Sequence, residues 1–497
     1  MLSRWQTFRL FLICLMISLI TDFPPGVMNA SVNTAVHEFR SFLRRSFAAR
    51  GISLENVQTE TLVRSAVLNT WFVGQIIGSI SLPSLAERYG RKGAFAISIA
   101  AMTLGLVLQF GATLLNSPEL FVLGRFVAAL FSPLCDFVML AYFQESTPIE
   151  LRGMFSALAG ISYASMSAFG MWLGTMLGDS FVWLFAVQWP PALLSLLFVA
   201  MLPETPKFLA CIRNDKDAAL RSLTFFQGSQ PEHVQQIAEF RLEIEMDETN
   251  DLQDKSVTIK EILTTSHLRF SMLLSLSVFV TVLPLYPFLL SSTYLFEKIG
   301  IESRIAEFSS TAVFVTFALA TGFGAWLMER HPRRLLLLTS AVITIVCLSA
   351  FVFFAAISRY YTPLGYIAIV SVFLFIIPFG AIVAPMSWFI GTELVTQRYR
   401  AMIFGIVFGC FNVLITITNS IALLLFEYFG ALSFIPLFIV PSIITLEFLR
   451  RHLPESRGRA PVEVAGVIRR MVDEKTNVFE AERREAIERA KIGGFNE

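Results

Sequence analysis

At 497 residues the chain is 55% hydrophobic and only 15% charged, with a formal charge of +1. That balance is far from a soluble domain's and gives no footing for a nucleic-acid partner. The five cysteines, Cys14, Cys135, Cys211, Cys347 and Cys410, have no short spacing, so neither a disulfide framework nor a metal site is expected.

Arg4 and Arg9 flank the first apolar run, FLICLMISLI. Asp22, Pro24 and Pro25 follow it where a signal peptide would carry a small-residue cleavage site, so a retained first helix is expected. Bilayer-length apolar runs fall near 8–32, 62–85, 93–115, 119–143, 153–176 and 181–202, and again near 270–295, 306–328, 334–357, 364–392, 401–425 and 431–449. Lipid offers no partner for free backbone groups and nothing alternates like a barrel strand, so each run must be a helix. The expected fold is an all-α membrane protein with twelve transmembrane helices: a six-helix half over 1–202, a linker over 203–269, a second six-helix half over 270–453 and a tail over 454–497.

The linker is the long charge-rich stretch between the apolar halves. Its segments DAALRSLTFF, PEHVQQIAEFRLEIEMDE and TIKEILTT have helical spacing and predict a small cytoplasmic layer. Short loops on the linker side carry Arg88, Arg91, Lys92, Arg152, Arg330, Arg333, Arg334, Arg398 and Arg400, whereas the opposite loops carry Lys298, Arg304 and Arg359. The positive-inside rule then places both termini in the cytoplasm and the mixed-charge loop 33–61 outside. The sequon at Asn29 abuts the membrane, too close for use. The tail after Arg459 reads as an amphipathic helix, solvated or lying on the membrane.

Three charged signatures occur once in each half, in the same order. ERYGRK (87–92) is echoed by ERHPRR (329–334), ESTPIELRG (145–153) by ELVTQRYRA (393–401), and LPETPKF (202–208) by LPESRGR (453–459). Their offsets nearly agree, which marks a duplicated six-helix unit. Carboxylates and arginines at neighbouring helix ends can pair when the halves close on that side and be screened by water when they part. The other reading is that they only orient the helices.

At these residues, with GVMNA (26–30), LGRF (123–126), FEKIGI (296–301) and Trp388, the chain resembles the sugar porter family of the major facilitator superfamily, and within it the animal facilitative hexose transporters. The resemblance implies an alternating-access carrier, and a cytoplasmic gate made of Glu87, Arg91, Glu145, Arg152 and Glu204 with Glu329, Arg333, Glu393, Arg400 and Glu455. One departure is Pro332, which replaces a glycine of the second signature and is expected to alter that latch. The family's polar sugar ligands are replaced here: paired glutamines fall on Val280 and Thr281, an asparagine on Tyr286, a glutamine on Gly160 and another asparagine on Phe317. The remaining candidates for solute contact are Gln75, Thr281, Tyr286, Trp388 and Asn412, around a cavity more apolar and aromatic than a glucose site. Either the register slips near Pro284 and Pro287, or the solute is less hydroxylated than a hexose.

Asp22, Arg125 and Asp136 lie inside predicted spans, where an unpaired charge costs at least a few kcal/mol, so each is a functional candidate. Counting rise along the helices puts Asp22 and Arg125 at one depth and predicts a buried pair between them. The expected function is facilitative movement of a small organic solute by a monomeric unit in the plasma membrane, with no cofactor and no enzymatic activity. An organic-ion or proton-coupled carrier, with Asp136 facing a cation, and a sensor that binds without transporting are the alternatives.

Overall fold

Burying a backbone in lipid leaves it only its own hydrogen bonds, and the apolar runs fold accordingly. The structure, a computed structural model, describes residues 3–229 other than 53, 55, 82, 149 and 150, together with 233–240, 259–457 and 463–473. Helix is the regular element throughout these residues. Before the linker come α1 (Arg4–Thr34), α2 (Val36–Ala48), α3 (Val57–Ser81), α4 (Pro83–Leu115), α5 (Pro118–Ser146), α6 (Arg152–Leu177), α7 (Phe181–Ala186) and α8 (Trp189–Met201). The linker holds α9 (Pro206–Cys211), α10 (Lys216–Gln227), α11 (233–240) and α12 (Ile259–Thr264). After it come α13 (Ser266–Val280), α14 (Leu285–Lys298), α15 (Ser303–Arg330), α16 (Arg333–Ile357), α17 (Pro363–Pro378), α18 (Ala384–Glu393), α19 (Gln397–Phe429), α20 (Val440–His452) and α21 (463–473).

Nine helical stretches among the described residues are long and apolar enough to cross a membrane: those built on α1, α4, α5, α7 with α8, α13 with α14, α15, α16, α17 with α18, and α19. The helices α3 and α6 and the segment 435–452 occupy the places that the twelve-helix expectation gives to spans two, five and twelve.

Local chemistry sets the helix ends and breaks. Ser3 and Gln6 form a capping box at the start of α1, and Ser117 followed by Pro118 starts α5. Pro284 separates α13 from α14, and Pro378 gives way to a π-helical turn over Phe379–Val383. The α1 helix runs on through Pro24 and Pro25 to Thr34, further than its apolar run suggested. Close packing is bought with glycine where α3 meets α5: a Cβ on Gly78 would lie 2.0 Å from the carbonyl oxygen of Leu130.

The two sets of helices meet along α3 against α19, α6 against α15, and α1 against α14. At one end, the linker end, α9, α10 and α11 bury Leu209, Ala219, Leu223 and Ile237 together. At the far end α2 covers the bundle with an aromatic cluster in which Phe39 and Phe42 pack on Phe121 and Phe181. The expected linker helices are present as α10, α11 and α12, although 241–258 lie outside the described residues.

The tail expectation needs correction over 463–473. Val464 and Ile468, four residues apart on one face of α21, are buried with Leu337, Leu394, Leu449 and Leu453. A helix with one such apolar stripe gains more by docking on protein than by staying solvated. Residues 474–497 lie outside the described residues.

Candidate functional site

The duplicated signatures fold into two matching networks at the linker end. Before the linker, Arg91 donates twice to Glu145 Oε1, at 3.0 and 2.8 Å, and Thr205 donates to the other oxygen of that carboxylate. Glu204 accepts the backbone N–H groups of Arg91, Lys92 and Thr205 at 2.9–3.1 Å. After the linker, Arg333 pairs with Glu393, and Glu455 accepts the backbone N–H groups of Arg333 and Arg334 at 3.0 and 3.1 Å. Glu204 and Glu455 thus answer free N–H groups at a helix start, where the helix dipole also favours a carboxylate.

Pro332 does not spoil the second copy. The first turn uses Gly90 at φ 83°, a left-handed conformation that suits glycine, whereas Pro332 takes φ −57° and starts α16 directly. Both routes present their N–H groups to the same kind of carboxylate. Among the described residues each network closes within its own set of helices, where the gate expectation had pairing across the two. Glu87 is exposed, and Arg400 lies in electrostatic reach of Glu393. The side chains of Arg152 and Glu329 lie outside the described residues.

Within the membrane-depth core the expected Asp22–Arg125 pair does not form. Arg125 is fully buried and donates to the Met28 carbonyl at 3.0 Å, to Asn29 Oδ1 at 2.5 Å and to the Leu68 carbonyl at 3.4 Å. Asp22 instead accepts from Ser162 of α6. The cause is length: α1 reaches Thr34, so Asp22 sits about 18 Å from its far end, whereas Asn29 is about 8 Å and Arg125 about 10 Å from theirs. Asp136 is half-buried and within electrostatic reach of Asp22, and both lie near Tyr163.

An aromatic wall faces this cluster. Tyr163 neighbours Tyr286, whose ring meets Phe72 at 5.3 Å and Phe411 at 5.7 Å. Phe411 packs at 4.6 Å on Phe279, which in turn meets Trp388 at 6.1 Å. Trp388 also packs on Phe404 and Phe408 and remains 40% exposed. Tyr286 and Trp388 therefore share one surface. Asn412 is buried one turn away, its Nδ2 donating to the Phe408 carbonyl at 2.9 Å while its Oδ1 has no partner.

Two candidates point elsewhere. Thr281 donates to the Val278 carbonyl at 2.6 Å and lines a crevice with Ala341, Thr344 and Ser442, behind the wall. The break at Pro284 resets the helix register there, so counting back from 296 misplaced it. Gln75 reaches Ser132 Oγ at 3.4 Å inside the α3–α5 seam, so it serves helix packing there.

The far end carries what the sequence did not announce: polar cross-links between the two sets of helices. Asn33 of α1, 2% exposed, donates to the carbonyls of Phe288 and Leu289 at 3.0 and 2.9 Å and to Ser292 Oγ at 2.9 Å, and accepts from the Thr293 N–H at 3.3 Å. These groups sit where α14 departs from helical geometry at Ser291. Thr175 meets Thr311 at 3.0 Å, and Arg64 lies over the Tyr294 ring at 3.9 Å. His37 Nε2 approaches Glu297 at 2.8 Å, and this hydrogen bond raises the imidazole pKa above its usual value.

A family model described as "Sugar (and other) transporter" matches residues 11–465. The chain belongs to that family. It is 27% identical over 457 residues to the rat "Solute carrier family 2, facilitated glucose transporter member 3", covering 89% of this chain and 90% of the relative. It is 26% identical to the chicken facilitated glucose transporter member 1, covering 82% and 83%. Among solved structures, the partially occluded inward-open form of the xylose transporter XylE from E. coli superposes with a TM-score of 0.74 at 15% identity, covering 92% of this chain and all of that one. XylE bound to 6-bromo-6-deoxy-D-glucose superposes at 0.72. The fold is therefore the major facilitator fold, and family members are transporters rather than enzymes.

Proposed function

We propose that this protein is a facilitative carrier that moves a small, sugar-like organic solute across a membrane by alternating access. One observation carries the reading: among the described residues, the polar links between the two sets of helices lie at the far end, while the ionic networks at the linker end close within each set. Neither ion pair described at the linker end need break for that end to part, whereas the far end must release Asn33 to open. That asymmetry suits a carrier in a form shut on one side. The glucose transporters named above and the sugar-bound XylE support a sugar-like solute. The arginine-rich loops support a cytoplasmic linker end and cytoplasmic termini in the plasma membrane. Each monomer holds a complete route in this reading.

A second reading rests on Asp136, a half-buried carboxylate that has no hydrogen bond or ion pair among the described residues and lies beside the acidic Asp22. With an aromatic wall opposite, that arrangement suits an organic cation. Initial uptake of D-glucose and of tetraethylammonium into liposomes carrying the purified protein separates the two. Saturable glucose entry supports the sugar-like assignment; saturable cation entry alone replaces it; binding of either without movement turns the protein into a sensor.

A further inference from the structure

Between α3, α14 and α19, on the far-end side of the aromatic wall, lies a small pocket shared by both sets of helices. Ser65, Leu68 and Asn69 line it from one side, and Leu290, Ser291, Asn419 and Leu423 from the other. Asn419 is 4% exposed, yet neither atom of its amide has a partner. Asn69, equally buried, donates to Ser65 Oγ at 3.1 Å and to Ser420 Oγ at 2.9 Å, but its Oδ1 is also unpartnered. Three buried hydrogen-bonding atoms thus converge from opposite sides of a seam that must open and close. Buried polar atoms left bare are costly and rare, so something polar meets these in the working cycle.

We propose that this pocket is an outer subsite that receives a neutral, polyhydroxylated solute before it reaches the aromatic wall. The chemistry follows from the mixture of groups. A hydroxyl both donates and accepts, so vicinal hydroxyls answer the Asn419 amide and Asn69 Oδ1 together. A carboxylate finds one donor and two opposing oxygens; a cation finds two oxygens and an opposing N–H. Exchanging the oxygen and nitrogen of Asn419 leaves this balance unchanged, because both are free. The lining carries no charge; of the buried cations beside it, Arg64 has Glu60, Glu297 and Glu427 in electrostatic reach, and Arg125 is turned to Met28, Asn29 and the Leu68 carbonyl. Leu68, Leu290 and Leu423 offer apolar surface for the C–H face of a sugar ring.

In the present form the pocket has closed to about the room of one water molecule. Asn419 lies about 15 Å along α19 from its far end at Phe429, well short of Phe404 and Phe408. Parting of α3 from α14 and α19 widens the pocket toward the outside and gives an entering solute its first polar contacts. In the closed form water replaces the solute. The subsite is therefore one-sided: it serves entry from the far end and not exit toward the linker end.

This inference rests on the carrier reading for its orientation, and its test reports on binding separately from transport. Leu423→Cys, in otherwise full-length protein in liposomes, is labelled from outside with a membrane-impermeant maleimide in the presence of graded D-glucose or D-fructose. Hexose is expected to slow labelling, and Asn419→Ala or Asn69→Ala in the same background to raise the half-protecting concentration about tenfold each. Choline and D-glucuronate are expected not to protect. In parallel, Asn419→Ala raises the KM for hexose entry about tenfold and leaves the KM for exit within twofold. Protection without transport upholds the subsite and sinks the carrier reading; transport without protection does the reverse. Unchanged half-protection in both variants, or stronger protection by glucuronate, overturns the proposal. If Asn419→Ala fails to fold, Asn419→Ser and Ser291→Ala test opposite helices of the same pocket.

Discussion

Replacing Asn33 by alanine should open the far end. The side chain crosses from α1 to α14 with four contacts, but its amide has only two hydrogens for the three acceptors at Phe288, Leu289 and Ser292. With the bond from the Thr293 N–H this makes about three effective hydrogen bonds. At about 1 kcal/mol net for each neutral bond, the closed form loses about 3 kcal/mol. In the outward-open form α14 has moved off and water serves both partners, so that form loses little. The change corresponds to roughly a hundredfold shift toward the outward-open population. Maleimide labelling of Leu423→Cys from outside reads that population directly, because Leu423 is 6% exposed in the closed form. The expected result is faster labelling by one to two orders of magnitude, with hexose entry slowed at the return step. Labelling rates equal within twofold in the presence and absence of Asn33→Ala would show that this clamp does not hold the gate.

Three further outcomes follow from the same geometry. Protonated His37 is held by Glu297, so this cross-link is complete below the ordinary imidazole pKa and fades as external pH climbs through the raised one. Half of the His37 side chain is exposed, which limits the effect to under about 1 kcal/mol, or roughly fivefold; Leu423→Cys should label faster at pH 8.5 than at pH 6, and His37→Gln should flatten the profile. Arg91→Ala leaves a largely buried Glu145 with Thr205 as its one partner among the described residues, so it should destabilise the detergent-solubilised protein by about 3 kcal/mol, and Arg333→Ala, in a more exposed pair, by less; equal thermal midpoints for wild type and Arg91→Ala would remove the network's structural role. Because Arg125 is bound to Met28 and Asn29 and not to Asp22, an inward proton gradient should not drive hexose accumulation, in wild type or Asp22→Asn. Accumulation lost in the mutant would establish coupling through Asp22.

The parts of this arrangement that were legible in the sequence are those written in run length and in repetition. Apolar runs gave the helices, and the doubled signatures singled out Glu204 and Glu455 as gate members; that both cap backbone N–H groups, at Arg91 and Arg333, was visible only in the structure. Depth was less legible. Depth was counted against a core of about 30 Å, whereas the 31 residues of α1 run about 46 Å, and this displaced Asp22 from Arg125. Register failed at Thr281 because the helix is interrupted between α13 and α14, and each skipped residue rotates the side chains by about 100°. Asn33, Asn69 and Asn419 were missed because a single asparagine in an apolar run does not reveal its partner. Asn33 and Asn69 find partners across the seam, some 250 or more residues away, as with Asn33 and Phe288 or Asn69 and Ser420. A polar residue spared inside a lipid-length run was the available signal, and it marks the seam between the halves more often than the lipid face.

Alternating access is tested most directly by counterflow. Liposomes carrying the protein are preloaded with unlabelled D-glucose and diluted into a trace of labelled D-glucose, with no ion gradient. A carrier whose two gates open in turn should take up label transiently above equilibrium, peaking and then decaying as the internal pool runs down. Label that rises monotonically to equilibrium, at the same rate with and without preloading, would contradict the account and leave a pore or a binding protein in its place.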